Sequence, residues 1–285
     1  MKIIVSYSGG KDSQACLLHS IGKYGANNIT AVFCDTGWEH PHTYKHIDET
    51  CNKLGVKLIT LKSKYDFVSL AKYKKRFPST KARFCTSELK MKPMIDYILS
   101  LNESCIVIQG IRAKESISRA AMSEECMFFK SYFEPYTNGK TESYRKKEVK
   151  QWCSKFDASI LRPIFQWTAQ EVIDYILNSG FYPNKLYTMG LSRVGCFPCF
   201  MARHKEVLLI IQKDKETLKK LIDAENHVGT SFFTSNYIPR RYCKNGKYPT
   251  VEDVVKYLTN KNMTIDMYEP EGGYSCMSMF HGLCE

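Results

Sequence analysis

The stretch YSGGKDSQACLL, Tyr7 to Leu18, decides how this chain is read. The residues before it, Lys2 to Ser6 (KIIVS), are short, β-branched and bounded by turn chemistry, which predicts a buried strand. After the paired glycines, Ala15, Leu17, Leu18 and Ile21 recur at roughly helical spacing. The segment therefore reads as a strand, a tight glycine turn and a helix start. In an open parallel sheet, ligands bind beyond the carboxyl ends of the strands, so the turn Ser8 to Ser13 (SGGKDS) lies where a ligand is expected. Glycines let the backbone approach a phosphate, a helix N-terminus points N–H groups at it, and Ser8, Ser13 and Lys11 add donors and charge. The spacing matches neither the dinucleotide G-x-G-x-x-G nor the G-x-x-x-x-G-K-[ST] of P-loop ATPases, so neither mechanism is imported. The plain alternative is a glycine turn with a helix cap.

Working outward, strand and helix patterns alternate. Strands are expected at Lys2 to Ser6, Ile29 to Cys34, Lys57 to Leu61 and Ser104 to Gln109, with helices near Lys11 to Tyr24, His42 to Leu54 and Glu88 to Leu101. That alternation predicts an α/β fold, a Rossmann-like parallel sheet with helices on both faces. Cys126 to Lys155, aromatic and carrying the basic run YRKKEVK, reads as an excursion from the sheet. In TAQEVIDYILNSG, Thr168 with Glu171 forms a capping box and Gly180 a stop. Further helices are expected near His204 to Ala224 and Val251 to Thr259. The expected division is a nucleotide-binding domain over 1–200 and a helical C-terminal region over 201–285 with a cysteine-rich tail.

The chain has 285 residues, 44% of them hydrophobic, which is enough to bury a core. It opens on a strand pattern without an apolar leader, and no run approaches the roughly 18 apolar residues of a membrane span, so a cytoplasmic protein without membrane attachment is expected. With no export signal, the 12 cysteines point to reduced thiols or metal ligation rather than a disulfide framework. The net charge of +12 implies an anionic partner, a nucleic acid or a nucleotide.

The SGGKDS turn resembles the pyrophosphate-binding loop of the N-type ATP pyrophosphatases, the PP-loop or adenine nucleotide alpha hydrolase-like superfamily. Further segments narrow the resemblance to the phosphoadenosine phosphosulfate (PAPS) reductase family: DTGWEHPHTY (Asp35 to Tyr44), FCTSELKMKP (Phe84 to Pro93), QGIRAKESISR (Gln109 to Arg119), RPIFQWTAQEVIDYI (Arg162 to Ile176) and YTMGLSRVGCFPC (Tyr187 to Cys199). They stand in family order over about two hundred residues, outside the Cys126 to Lys155 excursion. The resemblance implies an adenine nucleotide, ATP or the sulfonucleotides PAPS and APS, with Mg²⁺ and positive charge at the leaving pyrophosphate. Ser8, Gly9, Gly10, Lys11, Asp12 and Ser13 are the cradle, with Lys11 and Asp12 as candidate catalytic residues. Asp35 and Thr36 follow the second strand, Asp35 being a contact to nucleotide or Mg²⁺, or a helix cap. Gly110, Arg112, Lys114, Glu115 and Arg119 follow the fourth, as a phosphate clamp or as a solvated basic face.

Cys196 and Cys199 have metal or redox spacing, C-x-x-C, and are half a site. Cluster-containing reductases of the family hold a [4Fe–4S] group with two adjacent cysteines and a later C-x-x-C. Here Thr86 follows Cys85, so the fourth ligand is missing from its usual place. The resemblance leaves three readings: Cys276 or Cys284 completes a metal set with Cys85, Cys196 and Cys199; the three hold an iron–sulfur cluster with one open iron; or zinc sits there instead. A tail cysteine, with Cys284 the candidate, is also the family's sulfite-accepting nucleophile, and Cys85 a second catalytic candidate. Cys16, Cys34, Cys51 and Cys105 read as buried small hydrophobes, and Cys126, Cys153 and Cys243 stay unassigned. His40, His42 and His46 flank Pro41 and read as a helix start rather than ligands.

Lys72 to Arg83 (KYKKRFPSTKAR) carries six cations, no acid and two aromatics, the pattern of a solvated loop or of a guide for a polyanion. Three functions fit: an ATP-dependent sulfurtransferase that adenylates an acceptor, such as a nucleic acid, and takes sulfur from a donor protein; a PAPS or adenylylsulfate reductase forming sulfite with a thiol donor; and a non-catalytic nucleotide- or nucleic-acid-binding module. The intact loop favours the first, because reductases that hydrolyse no ATP often carry an eroded one.

Overall fold

The computed structural model describes residues 1–136, 139–244 and 246–260. The tail that carries Cys276 and Cys284 lies outside the described residues. A six-stranded sheet in the order β3-β2-β1-β4-β6-β5 forms the centre. Its strands are β1 (Lys2–Ser6), β2 (Ile29–Asp35), β3 (Lys57–Lys62), β4 (Cys105–Ile108), β5 (Glu125–Met127) and β6 (Ala158–Leu161). Five run parallel, and β5 pairs antiparallel with β6 at the edge. β1 and β4 are apolar almost throughout because helices cover both faces, leaving no solvent side to alternate toward.

From β1 the chain builds outward through β2 and β3, then crosses to the other side for β4. The direction of winding reverses there, which opens a crevice at the carboxyl ends of β1 and β4. One face packs α1 (Lys11–Tyr24), α2 (Pro41–Leu54) and the helix Ala169–Asn178, through Leu17, Ile47, Val172 and Ile176. The opposite face packs the helices Lys92–Ser100 and Lys146–Cys153, through Ile95, Ile98, Val149 and Trp152.

The expected strands and first helices stand where the sequence puts them, within a residue or two. α2 begins at Pro41, its missing N–H costing nothing in a first turn, and ends at Gly55 in the left-handed region. The capping box of Thr168 and Glu171 is formed. Two expectations change. Part of the 126–155 segment rejoins the sheet as β5, and Phe128, Phe129, Tyr132 and Trp152 sink into the core, because so many aromatics gain more by burial than on a solvated loop. The stretch expected as one helix over His204 to Ala224 is two, His204–Lys213 and Lys215–Val228. Asp214 breaks it by accepting the Thr217 N–H at 3.0 Å, a cap that competes with helix continuation.

These helices and Val251–Asn260 share one cluster with residues of the sheet domain, including Trp38, Phe67, Leu70, Phe77 and Leu89. They cover the end of the sheet where β2 and β3 finish.

Candidate nucleotide site and its thiol neighbourhood

The turn after β1 is built by close backbone approach. Gly9 sits at φ +79°, and a Cβ there would stand 2.9 Å from Ile47 Cγ1 on α2. Gly110, just beyond β4, presses on the same turn from the other side: a Cβ would fall 2.6 Å from the Ser13 amide nitrogen and 2.7 Å from the Asp12 carbonyl carbon. Only glycine leaves those two segments in contact. Ser13 Oγ donates to the Gly10 carbonyl at 2.9 Å and lies 3.2 Å from Ser8 Oγ. The start of the Tyr187 to Cys199 segment and the residues just before it lie across the turn. The Lys11 N–H donates to the Tyr187 hydroxyl at 3.0 Å, and Asn184 Nδ2 reaches the Gly9 carbonyl at 3.4 Å.

The charges are buried and ordered. Asp12, 2% exposed, accepts from Lys11 Nζ at 2.6 Å and from Arg112 Nε at 2.7 Å. Glu115 accepts the Arg112 N–H at 3.0 Å and pairs with the Arg119 guanidinium. Arg112 is 4% exposed, so its carboxylate partner is required: a buried cation left alone would be strongly unfavourable. The structure thus brings Lys11, Asp12, Arg112, Glu115 and Arg119 into one network at the mouth of the turn. Lys114 points to solvent and stays outside it.

Asp35 ends β2 at the same end of the sheet. Burial alone would raise its pKa, but hydrogen bonds from the Tyr44 hydroxyl at 2.7 Å and the Gly37 N–H at 2.9 Å, with Lys62 beside it, lower it and keep it ionised. Thr36 Oγ1 donates to Glu39 Oε1 at 2.7 Å. Glu39 is the residue that sequence reasoning missed. It is 3% exposed, accepts from Thr36, the Trp38 N–H and the Tyr44 hydroxyl, and stands 3.7 Å from Cys196 Sγ. Burial, then the charges of Glu39 and Asp35, raise the Tyr44 pKa and keep its hydroxyl a donor. Ser8, Cys34, Glu39, Lys90 and Gly195 line a narrow crevice beyond β1 and β2. Lys90 enters it from a wide π turn, Ser87–Met91, that precedes Pro93, which has no N–H to donate back. The signal for Lys90 was its spacing from Cys85; Glu39 had none beyond the DTGWE string.

The thiols are arranged differently. The Cys196–Cys199 turn pairs with the loop after β2, Phe197 N–H donating to the Trp38 carbonyl at 2.8 Å and Trp38 Nε1 to the Pro198 carbonyl at 2.9 Å. Cys85, Cys196, Cys199 and the unassigned Cys243 all pack, half-buried, against the cluster that contains Trp38, Phe200 and Phe233. Among the described residues, however, no three Cys, His, Asp or Glu side chains stand close enough to hold a metal ion. The described thiols share a surface, and Cys276 and Cys284, the other members of the expected set, lie outside the described residues. His40 uses both ring nitrogens structurally, Nδ1 accepting the His42 N–H at 3.0 Å and Nε2 donating to Asp214 at 3.1 Å. His46 lies 3.2 Å from Gln14 Oε1, its pKa pushed down by burial to about 4.

A mostly parallel α/β sheet with a glycine turn at the carboxyl end of its first strand, the Asp12 of that turn paired with the buried Arg112 from across the switch point, has the architecture expected of the PP-loop class. Residues 2–202 match the model of the phosphoadenosine phosphosulfate reductase domain, and the chain belongs to that family. Over 99% of its length it is 29% identical to an uncharacterized 37.8 kDa protein of Escherichia phage 186, of which it covers 96%. It is 24% identical to adenosine 5'-phosphosulfate reductase of Streptomyces coelicolor over 60% of the chain and 61% of that protein. The crystal structure of phosphoadenylyl-sulfate reductase from Candida auris, a phosphate complex, covers 70% of this chain and 83% of its own, with 18% identity and a TM-score of 0.47. No helix of the described residues is long and apolar enough to cross a membrane.

Proposed function

We propose that this protein activates an acceptor with ATP and delivers sulfur to it. The observation that supports this most is the cradle, in which Gly9 and Gly110 let the turn pack tightly against α2 and the segment after β4 while Asp12 holds Lys11 and Arg112 side by side at its rim. In the first step an acceptor oxygen attacks the α-phosphorus of ATP, the bond to the β-phosphate oxygen breaks, and pyrophosphate leaves. In the second a sulfur nucleophile displaces AMP, which departs with the acceptor oxygen. Lys11 and Arg112 stabilise the charge that gathers on the departing pyrophosphate, already oriented when ATP arrives. Arg119, held by Glu115, adds a second guanidinium behind them. Tyr187 and Asn184 keep the turn open in the required shape.

Mg²⁺ needs only one or two carboxylates when it travels with phosphates, and the ionised Asp35 is the residue that would hold it. Bound there, the ion would act as a Lewis acid on the phosphate oxygens. Cys85, Cys196 and Cys199 handle sulfur as thiols in this reading. Cys284, the other candidate nucleophile, lies outside the described residues.

A second reading, reduction of a sulfonucleotide to sulfite by a thiol donor, draws on the relatives named adenosine 5'-phosphosulfate reductases. Pyrophosphate formation from ATP separates the two. The first reading expects acceptor-dependent ATP–pyrophosphate exchange that disappears in Lys11→Ala. Sulfite release from PAPS or APS with reduced thioredoxin, without ATP cleavage, would replace it by the second.

A further inference from the structure

The segment between β3 and the Cys85 helix is unused by the reading above. Between Lys57 and Ser87 the sequence has nine lysines and arginines against one acid, Asp66. That acid is engaged as a helix cap, accepting the Ser69 N–H at 2.7 Å. Lys62 reaches Asp35 at 3.4 Å and Lys72 donates to the His227 carbonyl. Lys64, Lys74, Lys75, Arg76 and Lys81 are exposed, and among the described residues none is ion-paired. Five cations so close together hold a field that only a polyanion satisfies along its length.

The rings in this segment add a second observation. Tyr65 and Tyr73 stack on each other, centroids 5.2 Å apart and planes 18° from parallel, and Tyr73 remains 63% exposed. Tyrosine is intermediate in burial, and here the Tyr73 ring lies stacked on Tyr65 at the surface with its other side toward solvent. Lys64 Nζ and Lys74 Nζ stand 5.4 and 5.5 Å from the two ring centroids, and Arg76 lies 5.8 Å from the Phe84 ring, one residue before Cys85. The ledge therefore runs from the end of β3, beside Asp35, to the first of the thiols.

We infer that this ledge binds single-stranded nucleic acid, the lysines and Arg76 following the phosphates while Tyr73 stacks beneath a base. This names the acceptor for the ATP-dependent reading and rests on it. A duplex keeps its bases stacked inside and offers nothing to Tyr73; a strand offers a ring at every step. An acidic protein presents carboxylates without a π face at regular spacing, whereas a strand alternates phosphate and ring along its length.

The test measures fluorescence anisotropy of labelled dT₂₀, rU₂₀ and a 20-bp duplex against the full-length protein without ATP. Binding of a single strand is expected to weaken on the order of fiftyfold between about 50 and 200 mM salt, as roughly three to five phosphate contacts require. The relative affinities of dT₂₀ and rU₂₀ identify whether DNA or RNA is the better strand. Lys74→Glu/Lys75→Glu/Arg76→Glu is expected to lower affinity more than tenfold and flatten the salt dependence. Tyr73→Ala is expected to lower it roughly five- to a hundredfold at every salt concentration with the slope unchanged. Lys147→Glu/Lys150→Glu, both exposed on the solvent face of the helix leading into β6, leaves it unchanged. No strand binding at low salt, a duplex bound as tightly as a strand, an unaffected Tyr73→Ala variant, or equal losses in both charge variants would overturn the inference. Strand binding without pyrophosphate exchange would fault the activation reading alone; exchange without strand binding would fault the ledge alone.

Discussion

The phosphate cradle and the thiol surface sit at the same end of one sheet and are built by opposite means. The cradle is finished: its backbone is wedged by Gly9 and Gly110, and Asp12 and Glu115 lock its cations. The thiol surface is held by apolar packing around Trp38 and Phe200 and by the hydrogen bonds of the Cys196–Cys199 turn, and among the described residues no three metal-ligating side chains come together there. Charge must be paired when it is buried, so an electrostatic site is organised by the fold itself. Thiols cost little to bury, so packing by itself does not draw them into one ligand set.

The sharpest way to break that contrast is Gly110→Ala. Its methyl group would meet backbone atoms of Asp12 and Ser13, which cannot swing aside as a side chain can. A loss of about 3–4 kcal/mol of stability is expected in urea unfolding, with ATP binding lost in whatever remains folded. Next comes Asp12→Asn, nearly isosteric, which leaves Arg112 and Lys11 without their shared anion. The expected cost is about 3 kcal/mol, read from the same unfolding curves. Cys199→Ser, by contrast, is expected to cost under about 1 kcal/mol in metal-free protein; a loss as large as that of Asp12→Asn would show that the thiol surface is as tightly organised as the cradle.

Acid should act on the cradle side. The His46 pKa is about 4 in the folded state, below its ordinary value, so the unfolded chain takes up a proton first as pH falls. Stability from this group is complete above about pH 6.5 and declines as pH falls toward 4, by about 2 kcal/mol at pH 5. His19 and His40 are lowered too, chiefly by burial, and act in the same direction, whereas the raised Glu225 opposes them at lower pH. Urea midpoints at pH 7 and 5 check this, and His46→Gln is expected to remove much of the difference.

The smallest effect is one of order rather than energy. Burial pushes the Cys51 and Cys105 thiols up to about 12, so at pH 8 both stay protonated and unreactive. The half-buried Cys85, Cys196 and Cys199 are expected to alkylate ahead of them. Peptide mapping after brief iodoacetamide treatment shows the sequence of labelling. Labelling of Cys51 before Cys196 would show that the thiol surface is sealed.

What the sequence alone determined was mostly local. The strand of KIIVS, the turn of SGGKDS and the caps of α2 and of the helix after Thr168 depend on residues within a few positions of one another, where periodicity and turn chemistry act directly. Only the tertiary structure decided which charges meet. Arg112 and Asp12 are a hundred positions apart, Tyr187 reaches Lys11 across 176, and Glu39 gained its place only when β2 was laid beside β1 and the Cys196 turn folded over it. The 126–155 segment likewise became sheet and core because β6 offered an edge and its aromatics a face to fill. Burial, close approach and charge pairing are properties of contacts between distant segments, and a sequence states the residues without stating the distances between them.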